Sequence, residues 1–221
     1  MFAVTDLWKK THTGARVGYM ILDNVVNPEQ CDALEQRKRS LETELRSKFI
    51  SKEELAGCFP MPIYSDYYKR HKKTYHVLQQ LESVSFKGKS IPRVAGLVEG
   101  MFMAELKNGL LTAGHDVEAL TFPLTLDAAI GNEKYVLING NEQGVKAGDM
   151  MIADSEGIIS SVLCGPDYRT RIIPTTRKAI FIVYALQGIS EAAVADHLSD
   201  IYTNAKVVCS QATIEQQGIV D

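Results

Sequence analysis

An imidazole and a carboxylate stand side by side in the sequence at His115 and Asp116, directly after Gly114 in the run LLTAGHDVEAL. Such a pair can orient a water molecule or a ribose hydroxyl at the mouth of a pocket, so both residues are catalytic candidates. In the alternative interpretation, Asp116 caps a short turn over residues 117–120 and His115 makes a structural hydrogen bond. Both interpretations stay open, because neighbouring residues on a loop rarely point at the same atom.

A second polar group lies in the runs DYRTR and TTRK, which contain Arg169, Thr170 and Thr176. Guanidinium groups and hydroxyls are suited to recognising carboxylates or phosphates. We predict a substrate-binding role for Arg169 and Thr170, because we expect no nearby acidic partner to neutralise the arginine. The alternative is an exposed antiparallel ribbon, in which threonine and arginine are common.

One segment of the chain concentrates basic and aromatic side chains. Its members are Lys69, Arg70, His71, Lys72 and Lys73, flanked by Tyr67, Tyr68 and Tyr75. Cations of this kind attract phosphates and bases stack on tyrosines, so the segment is a candidate for RNA binding. A solvated helix face with inward-packed tyrosines is the alternative, and the overall excess of acidic residues favours it.

The familiar catalytic motifs are absent. No G-x-S-x-G nucleophile motif occurs, and Gly88-Lys89-Ser90 lacks a phosphate loop's first glycine because Ser83 stands in its place. No H-E-x-x-H spacing occurs, and the four cysteines are widely scattered. We therefore expect no bound metal and no cofactor.

The 221 residues carry 24 basic and 27 acidic side chains, a net charge of −3, so no global basic field attracts nucleic acid or anionic lipid. We expect no DNA partner, and any RNA contact must be local. No apolar run approaches the roughly 20 residues needed to span a bilayer, so no membrane contact is expected. The N-terminus lacks a signal-peptide pattern, so the expected compartment is the cytoplasm.

Helical patterns dominate the first half of the chain, and short β-prone runs dominate the second. Helices are predicted after a cap at Asn27, after a cap at Ser51, from near Ile91 to Asn108, and from Ser190 to Asn204. The predicted strands are Val17–Val26, Leu120–Ile130, Tyr135–Ile138, Asp149–Ala153, Ile158–Leu163, Tyr168–Ile173 and Ala179–Leu186. This order predicts an α+β fold with N-terminal helices packed on a mixed, mostly antiparallel sheet.

Three of these runs together resemble a known family. IPRVAGLVEGMFMAELKNGLLTAGHD, GDMMIADSEG and DYRTRIIPTTRKAIFIV are similar to the stand-alone B3/B4 domain family. That family is itself similar to the tRNA-editing B3/B4 domain in the β subunit of bacterial phenylalanyl-tRNA synthetase. The resemblance implies a single B3/B4-like domain over 1–221. Its parts are an N-terminal strand and helices over 1–60, a family-like core over 60–200 and a C-terminal extension over 201–221.

The resemblance also implies a function. In the synthetase, the pocket of this domain hydrolyses tyrosine misattached to the phenylalanine tRNA, so tRNA or aminoacyl-tRNA is the implied partner. The 221 residues leave no room for an aminoacylation core, so the chain is not a ligase.

The family's site residues carry over only in part. Asp116 matches an aspartate of the synthetase signature, but the pocket histidine falls on Ala113. Thr170 and Thr176 match hydroxyl positions, and the glutamate that reads the tyrosine hydroxyl falls on an apolar residue near Ile182 or Val183. Without that acceptor, a site built to bind a phenol loses most of its discrimination.

Two functions follow as alternatives. In the first, the chain hydrolyses misacylated tRNA: His115 and Asp116 orient water or ribose, and Gly114 and Gly165 supply amide donors to an oxyanion site. Arg169 then binds a phosphate or carboxylate, Thr170 and Thr176 line the pocket, and Lys69, Arg70, Lys72 and Lys73 hold the acceptor stem.

In the second, the chain is a non-catalytic module that binds RNA, an amino acid or another small metabolite. For both functions we expect the Gly114 bend and the Arg169–Thr170 segment to share one cavity.

Overall fold

The elements of the computed structural model, which describes residues 1–221, are α+β in type, as the sequence predicts. The strands are β1 (Phe2–Val4), β2 (Arg16–Asp23), β3 (Thr112–Asp116), β4 (Leu124–Ala128), β5 (Lys134–Val136), β6 (Glu142–Gly144), β7 (Met150–Asp154), β8 (Gly157–Ser161), β9 (Gly165–Pro166), β10 (Ala179–Ala185) and β11 (Thr213–Val220). The helices are α1 (Asp6–Thr11), α2 (Asp32–Lys48), α3 (Lys52–Gly57), α4 (Met61–Arg70), α5 (His76–Lys87), α6 (Gly96–Asn108) and α7 (Glu191–Val208).

The strands form two main sheets. One has the order β11-β2-β10-β3 and is antiparallel throughout. The other has the order β1-β4-β7-β8-β9, in which only the β1–β4 pair is parallel. A small β5–β6 hairpin stands apart from both. The predicted mixed, mostly antiparallel arrangement is confirmed.

β10 is the centre of the core because both of its edges and both of its faces are covered. All seven of its residues are buried. One face of this sheet packs against α6 and α7. A Cβ on Gly18 of the neighbouring β2 would lie 2.2 Å from Val194 of α7, so glycine is needed for this close approach. On the other face, the Tyr184 hydroxyl bonds Ser160 of the second sheet. Residues that alternate along the neighbouring β3 therefore face two different environments.

The helix caps show where local sequence signals suffice. Ser51 caps α3 by accepting a hydrogen bond from the Glu54 amide at 3.2 Å, and Ser190 caps α7 in the same way, as predicted. The predicted role of Asn27 is wrong, because its side chain accepts a hydrogen bond from the Leu97 amide at 3.0 Å and so caps α6 instead. α6 accordingly begins at Gly96 rather than near Ile91.

The predicted strand Tyr168–Ile173 is a loop. The Asp167 carboxylate accepts hydrogen bonds from the amides of Arg169 and Thr170 at 3.1 and 3.2 Å, and this local turn competes with strand formation. The backbone of the loop is tied to β3 through an isolated bridge between His115 and Arg171 and through the Asp116 amide, which donates to the Thr170 carbonyl. Sequence reasoning also missed β1 and β11, which pair with β4 and β2.

No helix has both the length and the apolar character that crossing a membrane requires.

Candidate functional site

A cavity of about 310 Å³ opens between α6, β3 and the loop around β9. It is lined by His76 and Gln80 of α5, Val98, Met101, Phe102 and Glu105 of α6, Leu111, Thr112 and Gly114, Leu163, Cys164, Gly165 and Pro166, and Ile138 and Ile172. The wall is mainly apolar, and its few polar groups converge from different elements. Ligand pockets in proteins have this size and character.

Gly114 keeps the space between β3 and α6 open. A Cβ at this position would lie 2.9 Å from Ile172 Cδ1 and 3.3 Å from Met101 Sδ. Both neighbours belong to the cavity wall, so any side chain here would push that wall inward. Gly165 stands on the opposite wall with φ +84°, a left-handed conformation that favours glycine. The two glycines predicted from the sequence therefore do face one cavity.

Glu105 is the acidic group of the cavity, and sequence reasoning missed it. Its Oε1 accepts a hydrogen bond from the Thr112 amide at 2.7 Å. Burial raises the pKa of the Glu105 carboxyl to about 8, and the Thr112 hydrogen bond offsets only part of that shift. At neutral pH the carboxyl is therefore protonated and can donate an O–H hydrogen bond to a ligand.

A chain of hydrogen bonds leads from Thr112 to the surface. The Thr112 hydroxyl lies 2.6 Å from His197 Nε2, and Asn108 Nδ2 donates to His197 Nδ1 at 3.2 Å and to Asp200 at 2.9 Å. Because Nδ1 accepts, the imidazole proton is on Nε2 and points to Thr112. Burial lowers the pKa of His197 to about 4, so this imidazole is neutral and fixes the strand beside the cavity.

The loop wall of the cavity is held by Lys73. Its ammonium donates to the Leu163 carbonyl at 2.8 Å and lies 3.6 Å from the Cys164 sulfur. The Lys73 side chain is therefore partly buried and its ammonium is bound by protein groups, whereas the side chains of Lys69 and Lys72 are exposed.

His115 points away from the cavity, because it alternates with Gly114 along β3. Its side chain is fully buried between the two sheets, and Nδ1 lies 2.7 Å from the Thr170 hydroxyl, which in turn donates to Asp167. Burial lowers the pKa of His115 to about 3, and the nearby Arg169 guanidinium acts in the same direction. The predicted placement of His115 at a pocket mouth is therefore wrong, and the structural hydrogen bond is the interpretation that fits.

Asp116, Thr170 and Thr176 are also internal. Asp116 accepts a hydrogen bond from the Thr176 hydroxyl at 2.6 Å and another from the Glu118 amide at 3.0 Å, so it caps the following 3₁₀ turn. Thr170 and Thr176 have almost no exposed surface, and neither lines the cavity. These contacts join β3 to the loop that follows β9.

The expectation that Arg169 lacks an acidic partner is wrong. Its guanidinium binds Asp154 at 2.7 Å, donates to the Ala119 carbonyl at 2.7 Å, and lies 3.7 Å from Glu156. The β7–β8 hairpin delivers both carboxylates, and this pairing is invisible in the sequence near position 169. Arg169 is on the rim of a different cavity of about 360 Å³, beside Tyr168 and β5, and Thr170 lines neither cavity. The expectation that the Gly114 bend and the Arg169–Thr170 segment share one cavity is therefore wrong.

The tyrosines of the basic segment pack inward. Tyr67, Tyr68 and Tyr75 are buried, and their hydroxyls donate to Asp149, the Val162 carbonyl and the Gly109 carbonyl. Their rings are not available for stacking on bases. The cationic side chains of the segment are the ones that face solvent. Among them, the Arg70 guanidinium lies 5.3 Å from the centre of the Tyr67 ring.

The four cysteines are free thiols, and no group of three or more His, Cys, Asp or Glu side chains is arranged to hold a metal ion.

Comparison with solved structures reveals a likeness in fold. The structure is similar to the crystal structure of an N-terminal fragment of the phenylalanyl-tRNA synthetase β-subunit from Pyrococcus horikoshii, with a TM-score of 0.50 and 12% sequence identity. The match covers 100% of this chain and 54% of that one, so the chain spans about half the length of the synthetase fragment. At this identity the likeness is one of fold alone. No protein-family model and no curated protein matches the sequence.

The fold expected from the sequence resemblance is thus confirmed as a distant structural relationship to the synthetase β-subunit. Membership in the stand-alone B3/B4 family stays a prediction.

Proposed function

We propose that the chain binds tRNA and hydrolyses misacylated tRNA in trans, without aminoacylation activity, and that the cavity beside Gly114 receives the acyl group. The observation that carries this proposal is the cavity itself. It is apolar, about 310 Å³ in volume, and contains a buried protonated carboxyl at Glu105. The likeness in fold to a synthetase β-subunit supports the choice of an aminoacyl ester as substrate.

The chemistry needs little from the protein, because the ester is already activated. Water adds to the ester carbonyl, the bond to the ribose oxygen breaks, and that oxygen takes a proton, leaving a free amino acid and an uncharged tRNA. In this scheme Glu105 donates a hydrogen bond to the oxygen that gains negative charge. Backbone amides near Gly114 and Gly165 are the proposed additional donors.

The other residues predicted from the sequence do not contact the acyl group in this scheme. His115, Asp116, Thr170 and Thr176 position the loop after β9 against β3, and Arg169 anchors the same loop to the β7–β8 hairpin. Lys69, Arg70 and Lys72 are the proposed contacts with the RNA backbone, because their side chains are exposed at the end of α4 and the turn after it.

The test is deacylation across a panel of mischarged tRNAs with the wild type, Glu105→Met and Glu118→Met, because Met fills similar space and has no group that donates a hydrogen bond. Glu118 is exposed and lies outside the cavity, so its variant is the matched control. We expect release of the amino acid from at least one tRNA, with a loss of about tenfold, equivalent to about 1.4 kcal/mol, in Glu105→Met only. A folded wild type that deacylates none of the tRNAs would contradict the proposal.

RNA binding is measured separately. We expect the double variant Lys69→Gln/Lys72→Gln to weaken tRNA binding and reduce its salt dependence, because each phosphate contact releases counterions. The double variant Lys87→Gln/Lys89→Gln changes two exposed lysines at and just after the end of α5 and is the charge-matched control. Equal salt dependence in all three proteins would remove these lysines from the interface.

The second candidate function is a non-catalytic module that binds RNA, an amino acid or another small metabolite. One observation favours it: neither His115 nor Asp116 reaches the cavity. Saturable binding of tRNA or a free amino acid without ester hydrolysis would establish this candidate in place of the first.

A further inference from the structure

A second cavity, of about 460 Å³, lies between the α1–β2 connection and the C-terminal half of α4. Its wall includes His12, Thr13, Tyr67, Arg70, His71 and Gln187. It shares no lining residue with the cavity beside Gly114. Whatever binds here is therefore separate from the proposed acyl site.

The electrostatics of this second cavity favour an anion. One guanidinium and two imidazoles line it, and its wall contains no aspartate or glutamate. Neither Arg70 nor His71 forms an ion pair, because the nearby Asp66 faces Lys69 at 4.0 Å. Burial lowers the pKa of His71, and Arg70, Lys73 and Lys146 lower it further. One guanidinium and two imidazoles thus line the cavity, and no acidic residue of its wall compensates them.

His12 is a buried polar group that nothing in the protein satisfies. Its side chain is 8% exposed, and its Nε2 has no hydrogen-bond partner. The His12 amide donates to the Trp8 carbonyl at 2.8 Å, which fixes the residue at the end of α1. Buried polar groups are normally paired, so the His12 imidazole, which belongs to the cavity wall, has the capacity for one further hydrogen bond.

The wall is held in place before any ligand arrives. The Tyr67 hydroxyl donates to Asp149 at 2.8 Å and accepts from the Met150 amide at 2.7 Å, so the ring cannot move freely. Arg70 lies over that ring at 5.3 Å, an arrangement that orients the guanidinium. Preorganised donors bind oxyanions more tightly than mobile ones, because less side-chain entropy is lost.

We infer that this second cavity binds a phosphate monoester, with the Arg70 guanidinium and the imidazoles of His71 and His12 as its ligands. A planar guanidinium binds two phosphate oxygens at once, and neutral imidazole N–H groups bind the third without adding charge. The phosphate can belong to a free phosphorylated metabolite or to the terminus of a nucleic acid, since the chemistry of recognition is the same.

The test uses inorganic phosphate and a nucleoside 5′-monophosphate as probes, titrated into the full chain and followed by calorimetry and by the NMR signals of the histidine rings. We expect saturable binding that shifts the His12 and His71 signals. Binding should weaken at least tenfold in Arg70→Gln and in His71→Gln, and stay unchanged in Lys87→Gln. Absence of saturation at millimolar phosphate, or equal binding by Arg70→Gln and wild type, would overturn the inference.

A short RNA with and without a 5′-phosphate identifies the source of the ligand. Tighter binding of the mononucleotide than of either RNA indicates a metabolite, and binding of the phosphorylated RNA alone indicates a nucleic-acid terminus. Both results support the inference. No difference between the two RNAs, together with mononucleotide binding that is no tighter than theirs, contradicts it. These titrations contain no acylated RNA. A failure of phosphate binding can therefore be distinguished from a failure of the proposed deacylation.

Discussion

The carboxyl of Glu105 reaches from α6 to the amide of Thr112 at the start of β3, and the two atoms are 2.7 Å apart. This contact bridges the turn at Gly109 and places one acidic oxygen of α6 against the strand that forms the cavity wall. The raised pKa of Glu105 follows from this burial, and it makes the free energy of unfolding depend on pH.

We expect Glu105→Gln to change that pH dependence in a defined direction. In the folded protein Glu105 keeps its proton up to pH of about 8, whereas the unfolded chain releases it near 4.5. Between these values the folded state binds more protons, so this group makes the free energy of unfolding fall as the pH rises, by at most about 1.4 kcal/mol per pH unit. Urea unfolding from pH 5 to 8 should give a shallower decline in the variant, and parallel curves would contradict the assignment.

Gly114→Ala should narrow the cavity. The added methyl group would meet Ile172 and Met101, and overpacking of this kind costs about 1–3 kcal/mol of stability. We expect ligand binding or deacylation to fall at least tenfold while the fold survives. Gly57→Ala is the control, because a Cβ at Gly57 meets no atom within 4 Å. Full activity in Gly114→Ala would show that the proposed function does not depend on this cavity.

His115→Ala should act on stability. The substitution removes a fully buried ring and one of the two side-chain hydrogen bonds of the Thr170 hydroxyl, which keeps its bond to Asp167, so we expect a loss of about 2–4 kcal/mol in the free energy of unfolding. Chemical unfolding measures this directly. An unchanged stability together with abolished deacylation would restore the catalytic role that the sequence suggests.

Arg169→Gln should also destabilise the protein, by about 1–2 kcal/mol, because the buried Asp154 carboxylate would lose its charged partner. The exposed pair Lys134–Glu142 provides the comparison, since surface ion pairs contribute about 0–1 kcal/mol. We expect thermal unfolding to shift clearly in Arg169→Gln and little in Lys134→Gln. The reverse order would show that Arg169 is free to bind a ligand.

Local patterns in the sequence were sufficient for the elements that depend on local signals. β10 is continuously apolar because it is covered on every side, and the caps of α3 and α7 are serines directly before the helices they start. Local sequence patterns do not reveal a hydrogen bond whose two residues are far apart in the chain. Asn27 is 70 residues from Leu97, and Arg169 is 15 residues from Asp154, so neither contact leaves a local trace.

The candidate site was predictable only in part, for a related reason. Gly114 and Gly165 signalled positions where a side chain is excluded, and both line the cavity. Glu105 was overlooked because it lies among apolar residues of α6, although it follows Met101 by one helical turn and therefore shares its face. A carboxylate on an otherwise apolar helix face was the available signal. The direction of His115 depended on which strand edge pairs with β10, which the sequence does not reveal.

The distant cap on α6 also bears on the order in which the molecule assembles. The helix that carries Glu105 is closed at its start by Asn27, and the Gly96 amide donates to the Pro28 carbonyl beside it. Contacts of such long sequence separation form late, because the intervening loop must close first. We therefore expect a fragment lacking the first 30 residues to lose the start of α6, and we expect the cavity beside Gly114 to be among the last parts of the protein to form.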